Sequence, residues 1–119
     1  MKNDKIFAMQ FAKVYPLLIA KAEKKGRTRA EVDEVTCWLT GYEPQQLEEM
    51  LTGNVTYGDF FCNAPQMNEK RVLITGSVCG VKLEEIEDPL MLELRRLDKL
   101  VDELAKGKTM EKILHRQEK

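Results

Sequence analysis

The residues able to do chemistry in this chain are few, and the most suggestive is Cys79, in the stretch Gly-Ser-Val-Cys-Gly from Gly76 to Gly80. There a sulfur meets backbone that can approach a ligand closely. To act as a nucleophile, the thiol needs a neighbouring base or a helix N-terminus that favours the thiolate. The single histidine, His115, falls near the end of the sequence, where a helix frays, and makes a poor partner. The plainer reading is preferred: Cys79 is a small buried apolar side chain, and its glycines serve turns. A zinc site wants four organised ligands, commonly in close pairs. Cys37, Cys62, Cys79 and His115 stand too far apart to supply them. Glu84, Glu85, Glu87 and Asp88 carry the oxygens a hard cation prefers, yet a solvated surface with a helix cap accounts for them. The sequence has no phosphate-binding loop, dinucleotide fingerprint or serine elbow. No catalytic, cofactor-binding or metal-binding residue is therefore assigned.

A basic cluster, Lys21, Lys24, Lys25, Arg27 and Arg29, invites a nucleic-acid reading. Glu23 and Glu31 interrupt it and no aromatic side chains are interleaved, so cations at a helix C-terminus explain it better. The segments on either side of Gly41-Tyr42 superficially resemble a helix-turn-helix. The would-be recognition helix, Pro44 to Leu51, carries Glu48 and Glu49 and no Lys or Arg, so it would repel phosphates.

The elements that would position these residues are mostly helical. The clearest runs from Asp88 to Gly107, with Leu90, Leu94, Leu97, Val101 and Leu104 at helical spacing and Leu100 widening the stripe. Asp88 caps it, Pro89 suits the first position, and Gly107 ends it. On its outer face Arg95 can reach Asp98, and Lys99 can reach Asp102 and Glu103. Phe7, Phe11, Val14 and Leu18 mark another helix, placed from about Ala12 to Lys25, because Pro16 leaves residues 5–11 unsettled. Thr28 and Glu31 have capping-box spacing and open a helix to Thr40, with Ala30 (or Val32), Val35, Trp38 and Leu39 inward. Trp38 reads as a core anchor rather than a stacking platform. Further short helices are expected at Pro44–Leu51, at a turn capped by Thr56 that buries Phe60 and Phe61, and at Thr109–Arg116. From Glu69 to Ile86 helix and strand are both allowed; a helix to about Thr75, then an irregular turn with Val81–Leu83 extended, fits best.

The 119 residues predict one domain spanning the chain, with a net charge of -1 that offers no positive field to nucleic acid or anionic lipid. Hydrophobic residues make up 43% and charged ones 33%, a globular balance, and no apolar run reaches membrane length. The start of the chain lacks a secretory signal, and three widely spaced cysteines suit reduced thiols in the cytoplasm.

Three strings agree, in order, with one bacterial family: VYPLLIAKAEKKGRTRAEVDEVTCWLTGY, NAPQMN, and VCGVKLEEIEDPLMLELRRLDKLVDELAKGKTMEKIL. On these the chain resembles domain of unknown function 2200 from about Ile6 to Leu114. The resemblance implies a small, single-domain, bacterial cytoplasmic protein, and no reaction, cofactor or partner.

The expectation is thus a mainly α domain of about five helices, with an irregular glycine-containing segment near residues 76–86. The leading function is a non-enzymatic protein-interaction module, self-associating as a homodimer through the helix face around Leu94 and Val101. The alternatives are a small enzyme or ligand-binding protein with its site at Gly76–Gly80, and nucleic-acid binding through Lys21–Arg29, which is disfavoured. No membrane association is expected.

Overall fold

A computed structural model describes residues 4–78 and 80–114. Its longest helix, α6 (Pro89–Ala105), is the axis of the core. Asp88 caps it as its sequence requires, accepting bonds from the backbone N–H groups of Leu90 (2.9 Å) and Met91 (3.4 Å). Leu94, Leu97, Leu100, Val101 and Leu104 are all buried. Around this helix pack α2 (Phe11–Glu23), α3 (Arg29–Thr40), α5 (Tyr57–Cys62) and α7 (Met110–Leu114). The face around Leu94 and Val101 is therefore not available for self-association. Leu94 is 3% exposed and Val101 0%, because α2 and α3 together cover the stripe.

The mainly α class holds, with seven α-helices among the described residues rather than about five. The helix that the sequence left unsettled is α1 (Asp4–Ala8), five residues long and too short for a hydrophobic period to register, whereas α5 and α7 fall on the short helices expected there. Between α1 and α2 the chain is extended. Phe11 N–H donates to the Val55 carbonyl at 2.8 Å and Tyr57 N–H to that of Met9 at 2.7 Å, which ties the N-terminal helices to α5. Pro16 does not break α2. It lies on the exposed face, so the one helical bond it removes is lost where water can replace it.

Helix α3 opens with the expected capping box, Thr28 and Glu31 each bonding the other's backbone. Val32, not Ala30, completes its inward face, together with Val35 and Leu39, and Trp38 is only half-buried. Helix α4 (Pro44–Leu51) has the predicted bounds.

Residues 69–86 depart from the favoured reading. Glu69–Leu73 forms a 3-10 turn rather than an α-helix, started by the Asn68 side chain, which accepts from Lys70 N–H at 2.8 Å. Ser77–Val78 (β1) and Val81–Lys82 (β2) then pair antiparallel, and Leu83–Glu85 makes a second 3-10 turn. Leu83 is not extended, because the chain turns there to bury its side chain, with its N–H on the Gly76 carbonyl at 2.9 Å. Lys99 donates to the Ser77 carbonyl at 3.1 Å.

Candidate functional site

Cys79 lies outside the described residues, and so does His115. Of the described residues nearby, Val78 pairs with Val81 across an antiparallel hairpin and Gly80 takes a φ of 78°. A Cβ at Gly80 would meet nothing within 4 Å, so this glycine serves the turn and is not pressed against a neighbour. Of the other thiols, Cys62 is exposed. Cys37 is half-buried, and burial, followed by the charges of Asp33, Glu34 and Glu43, pushes it up to about 11. It is protonated at neutral pH and is a weak nucleophile.

The basic cluster is largely spent inside the molecule. Lys21 on α2 pairs with Asp102 on α6 at 3.5 Å. Arg29 meets Asp33 at 3.5 Å and also bonds Glu48 of α4. Arg27 forms a forked pair with Glu31, its closest contact 2.6 Å. Its remaining nitrogen donates to the Leu104 and Lys108 carbonyls, at 3.0 and 2.6 Å, where α6 ends, adding to the Gly107 N–H that Leu104 also accepts at 3.0 Å. Arg27 thus clamps the α2–α3 turn onto the end of α6, and with the Thr28 backbone it holds the Glu31 carboxyl down to about 2. Lys24 and Lys25 remain exposed.

The acidic run divides in the same way. Asp88 is used as a cap, whereas Glu84, Glu85 and Glu87 are exposed. Exposed Glu85 and Glu87 line an open groove of about 500 Å³ together with the more buried Val81, Ile86 and Met91 and with Arg95. A second groove, of about 630 Å³, lies beside half-exposed Trp38, between Met67, Gln66 and Leu114. Among the described residues no group of three His, Cys, Asp or Glu side chains is placed to hold a metal ion.

Two features lay beyond the sequence reading. One is the polar joint between α2 and α3, where the buried Tyr15 hydroxyl donates to Asp33 at 2.6 Å. The other is Leu17, 64% exposed in the middle of α2. Its signal was present, since Lys13, Leu17, Ala20 and Lys24 recur at helical spacing opposite the apolar face.

The model of the family described as "Uncharacterized protein conserved in bacteria (DUF2200)" matches residues 5–115. The chain belongs to this family. A crystal structure of uncharacterized protein SP1917 is similar to this DUF2200 chain at 55% identity and a TM-score of 0.91, covering 97% of this chain and 93% of the other. No curated protein matches. No helix of this DUF2200 chain is long and apolar enough to cross a membrane, among the described residues. The family description and the SP1917 structure bring no specific function, so the functional reading rests on the geometry of this DUF2200 chain itself.

Proposed function

We propose that this chain is a non-enzymatic protein-interaction module, acting as one domain and self-associating as a homodimer in the bacterial cytoplasm. The observation that carries the reading is Leu17. A leucine 64% exposed at mid-helix, with Pro16 and Ala20 exposed beside it, is apolar surface that the rest of the fold leaves to solvent. The grooves are wide and open, a shape that suits side chains of another protein better than an enclosed substrate. The odd, widely spaced cysteines fit a reducing compartment. Nucleic acid is not the partner in this reading, because Lys21, Arg27 and Arg29 already face carboxylates.

Native mass spectrometry of the protein taken from cells tests this. The expected result is a dimer mass with nothing else bound. A monomer carrying an additional small mass would overturn the reading and make the protein a ligand binder or enzyme.

A further inference from the structure

We infer that the dimer forms by reciprocal docking: the exposed lysine–leucine stripe of α2 in one copy seats in the acidic, apolar groove at the start of α6 in the other. This rests on the self-association proposed above and adds which surfaces meet.

The stripe consists of Lys13, Leu17, Ala20 and Lys24, all exposed and spaced to share one side of α2. Leucine stands between two ammonium groups, with Lys13 about 6 Å along the axis on one side and Lys24 about 10 Å on the other, at 1.5 Å per residue. The groove presents the complement. Val81, Ile86 and Met91 offer an apolar lining for a leucine side chain, and the carboxylates of Glu85 and Glu87 stand exposed in the same groove. Asp88 adds no free charge there, since it caps α6. Apolar burial supplies attraction and the flanking charges set the register.

Charged contacts link the two surfaces across α2 and α6. Arg95 lines the groove and pairs with Asp98 at 3.3 Å. Asp98 in turn feels the charge of Lys21, which pairs with Asp102 and stands one turn beyond Leu17. These contacts place stripe and groove on the same flank of the α2–α6 pair, which is the face the inference assigns to the dimer. A two-fold axis through that face lets each stripe meet the other copy's groove, so the contact is made twice and no sticky end remains. A second copy is the occupant favoured here because one chain carries both complementary surfaces.

The test combines zero-length carbodiimide cross-linking of mixed heavy-nitrogen-labelled and unlabelled full-length chains with sedimentation. The expected products join Lys13 or Lys24 of one copy to Glu85 or Glu87 of another. Leu17→Glu, a surface change whose fold is checked by circular dichroism, is expected to weaken the dimer by about tenfold or more. Lys24→Glu and Glu87→Lys should each weaken it, and their combination should restore much of the loss. If the dimer persists in Leu17→Glu and its cross-links lie elsewhere, the docking inference fails while self-association stands. A wild-type chain that stays monomeric would overturn both.

Discussion

The Tyr15 hydroxyl donates a 2.6 Å hydrogen bond to the Asp33 carboxylate and sits 3.2 Å from Thr36 Oγ1, joining α2 to α3 inside the core. Thr36 gives its proton to the Val32 carbonyl at 2.8 Å and the single phenol proton goes to Asp33, so the Thr36 contact is polar packing and not a second donated bond. Tyr15→Phe deletes a buried bond to a charged acceptor and should cost about 1–3 kcal/mol in a urea titration. Burial, reinforced by Asp33, holds the phenol well above its ordinary range. A raised value means that this stability is complete below about pH 10 and falls as pH climbs beyond it. The Tyr15→Phe variant should lose that part of the alkaline decline.

Tyr57 predicts the opposite outcome with the same substitution. Its ring is 1% exposed and packs against Phe60 and Phe61, but its hydroxyl is buried with no hydrogen-bond partner among the described residues. An orphaned hydroxyl in a low-dielectric setting is a cost, and removing it keeps the ring contacts. Tyr57→Phe should leave stability unchanged or raise it by about 1 kcal/mol. The two variants side by side, in one thermal or urea series, separate phenol packing from phenol bonding. A marked loss in Tyr57→Phe would show that the hydroxyl has a partner.

Arg27 predicts an acid limb. Glu31 lies lower in the folded chain, about 2 against 4.5, chiefly because Arg27 bonds its charged form. The stability from this pair is then fully present above about pH 4.5 and is lost as pH falls towards 2. Arg27→Ala should cost about 1–3 kcal/mol at neutral pH, since the Lys108 carbonyl loses the Arg27 donor and the Leu104 carbonyl keeps only the Gly107 N–H, and should flatten the acid decline over that window. Arg27→Lys should rescue little, because one ammonium cannot reproduce a fork on Glu31 together with a donor to two carbonyls. Stability curves from pH 2 to 7 for the three proteins check this.

How much of this was readable beforehand follows the range of the interactions. Local grammar was legible: Asp88 with Pro89 at the head of α6, the Thr28–Glu31 box, Pro44 at the head of α4, and Thr56 capping α5 were all written within four residues of one another. Partners distant in sequence were not. Arg27 reaches carbonyls 77 and 81 residues away, and nothing in its neighbourhood distinguishes it from Lys24 or Lys25. The same holds for the groove, whose lining joins Val81 and Ile86 from an irregular segment to Met91 from a helix. The residues from Glu69 to Ile86 carry no lasting period of either kind. Their form is set by where Ile74, Val78 and Leu83 find the core, and local preference had little say. The stripe on α2 was visible as spacing, but its exposure depends on which face α6 covers.

Gly41 and Gly107 both end helices with a positive φ, 83° and 94°, yet they should respond differently to Ala. At Gly107 nothing lies within 4 Å of an added Cβ, so the substitution meets only the left-handed strain, about 1–2 kcal/mol. At Gly41 the same Cβ would stand 2.7 Å from the Gln66 carbonyl oxygen and 2.8 Å from its nitrogen. Those atoms are backbone, and Gln66 N–H is held to the Thr40 carbonyl at 3.1 Å, so the segment cannot step aside without breaking that bond. Strain, overlap and the lost bond together put Gly41→Ala at about 3 kcal/mol or more. The segment around Gln66 also lines the groove beside Trp38, so a shifted segment should change the tryptophan emission in Gly41→Ala and leave it unaltered in Gly107→Ala. Equal losses in the two variants, with unchanged emission in both, would mean that residues 65–68 do not pack against the end of α3 in solution.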